Sequence, residues 1–275
     1  LTSSRPEGFV LPDPGLDARI AVGLGQVEVL LRESVVSEYP FVTDAARHLV
    51  DAGGKRFRPL LTLLAAQFGD PASAEVTSSA VVVELTHLAT LYHDDVMDEA
   101  SLRRGADSAN ARWDNTVAIL TGDFLFARAS DLLADLGPDA VRIQARTFER
   151  LCTGQIRETV GPAEGEDPIT HHVSVLADKT GSLIATAGRF GAMMSGAPDE
   201  TVETLATFGE RIGVAFQLAD DLVDIGSEHS QSGKTPGTDL REGVATLAVL
   251  YARTSTDPAD ARLIDLTSGP IHDDA

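Results

Sequence analysis

Apolar residues recur along this chain at helical spacing, and alternating strand-like runs are scarce. The pattern predicts a first helix over Leu16 to Glu38, closed near Pro40, and a shorter one over Val42 to Asp51, stopped by Gly53-Gly54. Pro59 to Phe68 follows, with proline in a favourable first-turn position and Gly69-Asp70-Pro71 as its end. Ala74 to about Ala100 is apolar on most sides, as a central buried helix would be. Asn115 to Leu136 runs to Gly137-Pro138, and Asp139 to Val160 runs into a Gly/Pro/acidic loop at Gly161 to Pro168. Ile169 to Ala197 holds one or two helices, and Asp199 to Ile225 is again long. A polar loop spans Ser227 to Asp239. Helix resumes over Leu240 to Arg253, before a short polar end.

No short-period repeat and no domain-scale linker interrupts this series. One larger echo does occur: Asp-Asp-x-x-Asp begins at Asp94 and again at Asp220, each time late in a long apolar helix. The economical reading is an all-α helical bundle, one domain over residues 1–275, with two acidic clusters facing a central cavity.

Composition narrows the function. The chain has 275 residues and a formal net charge of −20, so it lacks the basic footprint that nucleic acid requires. Its one cysteine, Cys152, allows no intrachain disulfide and no cysteine-based zinc site, which fits a reducing cytoplasm. The first residues lack a signal-peptide pattern, and no apolar run approaches a spanning helix. Membrane contact is therefore expected to be peripheral at most.

The acidic clusters carry the chemistry. At about 100° per residue, Asp94 and Asp98 lie within roughly 40° of each other, with Asp95 at the edge of their face. His87, seven residues earlier, shares nearly the same side. In the second cluster, Gln217 precedes Asp220 and Asp221 by three and four residues, so its amide faces the same space; Asp224 completes the motif. Carboxylates crowded this way repel one another unless cations sit among them. Oxygen-only ligands suit Mg²⁺, which bridges one or two carboxylates to substrate phosphates. One such motif alone reads equally well as a charged surface face; two inside apolar helices call for a partner.

Short basic islands supply the complement. They are Gly53-Gly54-Lys55-Arg56-Phe57-Arg58-Pro59, Arg103-Arg104-Gly105, Lys179-Thr180-Gly181 and Gly233-Lys234-Thr235-Pro236-Gly237. Each alone reads as an ordinary surface ion-pair site. Together, arginine forks, lysine charges and glycine backbone describe a pocket for metal-bearing polyanions. Lys234 lacks the glycine spacing of a P-loop, which disfavours nucleotide hydrolysis.

In order and approximate spacing over about residues 45–250, these motifs resemble the trans-isoprenyl (polyprenyl) diphosphate synthase family. Glu84-Leu85-Thr86-His87, Gly122-Asp123-Phe124-Leu125, Phe216-Gln217 and Asp239-Leu240 strengthen the likeness. The resemblance implies an all-α fold around a central active-site cavity, and a homodimer. It implies that Asp94, Asp98, Asp220, Asp221 and Asp224 hold Mg²⁺ on an allylic diphosphate. Lys55, Arg58, His87 and Arg104 would bind isopentenyl diphosphate; Arg103, Lys179, Thr180, Gln217 and Lys234 would contact the allylic substrate. The expected catalytic set is Asp94, Asp95, Asp98, Arg103, Lys179, Thr180, Gln217, Asp220, Asp221 and Lys234, although Thr180 also reads as a helix cap.

Family analogy places the floor of the product tunnel at Ala89, five residues before the first acidic motif. A small residue there implies a product longer than C20; the floor could also come from Phe124, Phe126 or Phe148. Two departures stand out. Val244 and Ala248 occupy positions where many relatives carry Lys and Pro, and the chain stops at Ala275 without an initiating Met, as a trimmed sequence would. Two rival readings are a class I terpene cyclase and a non-catalytic partner subunit of a heteromeric prenyltransferase. The cyclase needs no second diphosphate site, and partner subunits commonly lose aspartates that this chain retains.

Overall fold

A computed structural model describes residues 11–226 and 237–269. The described chain is helical apart from one minimal hairpin. Its elements are α1 (Pro14–Ser34), α2 (Pro40–Asp51), α3 (Phe57–Ala65), α4 (Ala74–Met97), β1 (Leu102–Arg103), β2 (Ala106–Asp107), α5 (Ala109–Arg112), α6 (Asn115–Leu136) and α7 (Pro138–Val160). There follow α8 (Pro168–Leu176), α9 (Ser182–Met194), α10 (Asp199–Gly226), α11 (Thr238–Glu242), α12 (Leu247–Arg253) and α13 (Ala261–Leu266). No described helix is long and apolar enough to cross a membrane.

Local chemistry sets most boundaries. Asp13 accepts from the Gly15 and Leu16 amides ahead of Pro14, and Asp114 and Asp167 accept from Val117 and Thr170 in the same way. Gly137, at φ 96°, ends α6 where an L side chain would be strained, and Pro138 opens α7. The expected helix over Leu240 to Arg253 is broken instead, because Gly243 at φ 77° separates α11 from α12. The tail beyond Arg253, read only as a short polar end, forms a short 3₁₀ turn at Pro258–Asp260 and then α13.

The chain divides into two compact units. One comprises Leu1–Thr147 and Leu183–Gly209, the other Phe148–Ser182 and Glu210–Ala275. In the first, α4 is the centre: Val81, Val82, Val83, Leu85, Leu88 and Ala89 are all fully buried. It packs most extensively on α6, and also on α3 and α1. Each fully buried Leu or Val contributes about 1.5–3 kcal/mol, so this helix anchors the unit. Tyr92 fastens α4 to α2, donating its hydroxyl to the Ala45 carbonyl at 2.6 Å and accepting from the Leu49 amide at 3.2 Å. In the second unit, α12 packs on α8. In the sequence, α8 and α9 are joined by one π-helical turn, Ala177–Gly181.

Candidate active site

In the first unit, the Gly53–Pro59 loop enters α3 through Arg56, a non-glycine residue at φ 45°. That left-handed conformation is uncommon for such a residue and needs support. Support comes from burial and pairing: its side chain is 1% exposed, and it donates to Glu28 at 2.5 Å, Glu84 at 2.8 Å and the Val50 carbonyl at 2.9 Å. Burial works against the charged form, but Glu84 and Glu28 more than offset it and raise the Arg56 pKa. Of the three cations read in this loop, Arg56 is therefore a buried post. Lys55 and Arg58 flank it.

Arg58 differs in kind. Among the described residues no acid makes an ion pair with it, and its Nε is buried without a hydrogen-bond partner. Burial pulls its pKa down to about 10, and Arg104 adds to the effect against Glu84. His87 is held neutral, its pKa well below the usual value, first by burial and then by Arg58, Arg104, Arg56 and Arg103. Arg58 and Arg104 thus place two cations around the neutral His87, in a strongly acidic chain.

Arg104 and Gly105 form the two-residue turn of the β1–β2 hairpin, with φ of 54° and 77°. Positive φ at both positions is the mark of a type I′ turn. The turn aims Arg104 back at α2, where it donates to the Leu49 carbonyl at 3.1 Å and to the Gly53 carbonyl. Its guanidinium lies over Gly54, where a Cβ would come within 2.7 Å. The hairpin was not read from the sequence; its one signal was the Arg-Gly pair. The adjacent Arg103 turns the other way, onto Asp95.

Asp95 leaves the acidic face on which the sequence placed it. It is fully buried and holds Arg103 at 2.6 Å from Nε and 2.5 Å from Nη2. Burial raises its pKa, against the pull of Arg103. Asp94 is half-buried and Asp98 exposed, one turn apart at the C-terminal end of α4. His93 completes the neighbourhood, within 3.4 Å of Asp123 and 3.1 Å of the Ile119 carbonyl on α6. Gly122 is what lets α6 approach: a Cβ there would lie 2.4 Å from His93 and 3.1 Å from the Ala89 carbonyl. Ala89 is therefore a closely packed helix-crossing position as well as an expected tunnel residue.

The second unit repeats the device. Asp221 is buried and Asp220 exposed, on the last turns of α10. Asp221 accepts from Gln217 Nε2 at 3.2 Å and has His172 Nε2 at 3.8 Å. Gln217 Oε1 in turn accepts from Thr180 Oγ1 at 3.3 Å. Asp224 accepts from the Asp239 amide at 3.1 Å, tying the cluster to the start of α11. Thr180 lies within the π turn rather than capping a helix, and Lys179 beside it pairs with Glu158 at 2.5 Å. His172 was not singled out in the sequence, because nothing at the level of spacing links it to Asp221. Lys234 lies outside the described residues.

The donor sets suit a hard divalent cation held jointly with phosphate. They offer carboxylate oxygens one turn apart, and among the described residues no three His, Cys, Asp or Glu converge into a closed cage. Mg²⁺ keeps waters and substrate oxygens in its shell, and open carboxylate pairs fit that habit.

A family model described as polyprenyl synthetase matches residues 39–273. The chain belongs to the polyprenyl synthetase family. It is 54% identical, over 98% of its length and 80% of the other, to nonaprenyl diphosphate synthase from Mycobacterium tuberculosis. It is 42% identical, over 83% of its length and 72% of the other, to heptaprenyl diphosphate synthase component 2 from Geobacillus stearothermophilus. Its fold matches the crystal structure of geranylgeranyl pyrophosphate synthase from Corynebacterium glutamicum complexed with calcium and isoprenyl diphosphate. That match has a TM-score of 0.87 and 53% identity, and covers 97% of this chain and 81% of that one. This polyprenyl synthetase is a trans-prenyltransferase acting on prenyl diphosphates, and the all-α expectation holds.

Proposed function

We propose that this polyprenyl synthetase joins isopentenyl diphosphate to an allylic diphosphate, with Mg²⁺ as its metal, and makes a product longer than C20. The observation that carries this reading is the cluster of Arg58, His87 and Arg104, with Arg58 lacking any described ion-pair partner. A terpene cyclase, with one diphosphate to bind, has no use for this second cationic site.

In this reading the chain is a single catalytic domain. Lys55, Arg58, His87 and Arg104 bind the isopentenyl diphosphate and fix the direction of its double bond. Asp94 and Asp98, with Asp220, Asp221 and Asp224, hold Mg²⁺. When bound, the metal draws charge from the departing diphosphate of the allylic substrate. Arg103, Lys179 and Lys234 neutralise the same leaving group. The hydroxyl of Thr180 and the amide oxygen of Gln217 turn partial negative charge toward the allylic carbon as it becomes cationic. The isopentenyl double bond then forms the new carbon–carbon bond, and the released diphosphate takes the proton. Asp95, locked to Arg103, orients that arginine instead of holding metal.

In this reading the small side chain of Ala89, at the fifth position before the first acidic motif, sets no bulky floor under the product, and each CH₂ of a growing tail gains about 0.8 kcal/mol on burial. A soluble cytoplasmic homodimer completes the reading. The test is to incubate the purified chain with Mg²⁺, labelled isopentenyl diphosphate and farnesyl diphosphate, and to resolve products by length. A Mg²⁺-dependent ladder ending beyond C20 is expected. A stop at C20 or below removes the length assignment alone. Elongation that appears only when a second, different chain is added favours the partner-subunit reading.

A further inference from the structure

One face of α7 is fitted to the π turn. Arg150, Gly154 and Arg157 stand at i, i+4 and i+7, so they lie on one stripe of the helix, with Glu158 beside them. Each meets a different part of Ala177–Gly181. Arg150 donates from Nε to Asp178 Oδ1 at 2.8 Å and from Nη2 to the Ala177 carbonyl at 3.3 Å. Its third contact, Nη1 to Glu210 Oε2 at 2.6 Å, reaches α10. Arg157 takes the other oxygen of Asp178 at 3.3 Å. Gly154 gives the backbone its approach: a Cβ there would lie 2.8 Å from the Lys179 amide nitrogen. Gly181 does the same on the far side, where a Cβ would meet the Glu210 carbonyl at 3.0 Å.

A π turn is a costly conformation. It carries an extra residue and opens the regular i to i−4 ladder, and such turns are frequent at functional sites. Here the rearranged backbone is secured from outside. Arg150 bonds the Ala177 carbonyl, the Ser182 hydroxyl donates to the Asp178 carbonyl at 2.6 Å, and the Asp178 side chain is shared between two arginines. The contacts among Arg150, Asp178 and Glu210 raise the Arg150 pKa against its burial, so the fork stays charged. The next two residues, Lys179 and Thr180, are those that the proposed function places on the allylic substrate.

We propose that Arg150 and Asp178 are positioning residues for catalysis, holding the π turn so that Lys179 and Thr180 keep their aim. This rests on the function proposed above. Neither residue touches substrate in this scheme. They act through the two that follow, and a displacement of about 1 Å in such groups is enough to cost roughly 10²-fold in rate.

The experiment compares full-length wild type with Asp178→Asn, Arg150→Lys and Gly154→Ala in steady-state elongation, with melting curves for each. Asp178→Asn keeps shape and loses charge, Arg150→Lys keeps charge and loses the fork, and Gly154→Ala pushes on the turn with both residues intact. The expected result is a fall in kcat of about tenfold to a hundredfold in all three, with KM for isopentenyl diphosphate unchanged. That substrate is assigned to Lys55, Arg58, His87 and Arg104, so a general loss of structure would move its KM as well. Wild-type kcat in Asp178→Asn and Arg150→Lys overturns the proposal. So does a loss of rate that follows only the folded fraction and vanishes below the melting range. A wild-type chain that elongates no primer removes the proposed function itself, whereas active wild type with unaffected variants removes only this proposal.

Discussion

Arg103 clasps the fully buried Asp95 with two nitrogens, at 2.6 and 2.5 Å, while Asp98 three residues on stands in solvent. The three aspartates of one motif therefore stand in different surroundings. Asp98→Asn is expected to lower kcat by about 10²–10³-fold, the several kcal/mol that a catalytic metal contributes, and to raise the Mg²⁺ concentration needed for half activity. Asp95→Asn is expected to leave that concentration unchanged and to raise KM for the allylic substrate through a loosened Arg103. Magnesium titrations of the two variants check this.

Arg58 has a charge without a described acid to pair with. Arg58→Gln is expected to raise KM for isopentenyl diphosphate by roughly 10–100-fold, the worth of one charge-assisted hydrogen bond of about 1.5–3 kcal/mol. KM for the allylic substrate should stay where it is. Initial rates with each substrate varied in turn give the answer.

Much of this was legible in the sequence, and the misses have physical causes. The span of α6 agrees with its prediction at both ends, because Asp114 and Gly137-Pro138 are strong local punctuation. Both acidic motifs and the basic islands were visible as patterns. Other features were not. Asp95 sits on the predicted face by angle alone, and only the hairpin that returns Arg103 draws it inward. Arg56 reads as one more phosphate cation until Glu28 and Glu84 arrive from α1 and α4, and no spacing rule links those elements. The π turn at Ala177–Gly181 is set by contacts from α7 and α10, while its own residues read as ordinary helix.

His87 makes stability depend on pH. Folding holds it neutral, whereas in the unfolded chain its pKa returns to about 6.5. Below that value the unfolded state binds a proton that the folded state does not, until pH reaches the depressed folded pKa. Stability should therefore fall as pH drops through this window. Denaturant midpoints measured between about pH 7.5 and pH 5.5 are expected to decline more steeply for wild type than for His87→Gln.

Gly191 is where α9 meets α3. A Cβ there would stand 2.1 Å from the Thr62 carbonyl and 2.9 Å from the Ala65 methyl. Because the obstacle is backbone, Gly191→Ala should destabilise by about 1–3 kcal/mol or more, as overpacked cores do. Gly25→Ala on α1, where nothing lies within 4 Å, should gain about 0.5–1 kcal/mol from helix propensity instead. Paired denaturation curves would show opposite signs.

The π turn amounts to a helix carrying one residue too many. Removing any single residue between Ala177 and Gly181 would let α8 and α9 fuse into an unbroken α-helix, an arrangement easier to form from local contacts. The flanks would keep their register, because the bulge already absorbs the extra residue, but the residues within the turn, Thr180 among them, would be re-spaced by about 100° each onto other faces of the regular helix. Shortening the gene by one codon could thus stiffen this segment while dissociating Thr180 from Gln217, so a gain in robustness and a loss of chemistry would arrive in the same step.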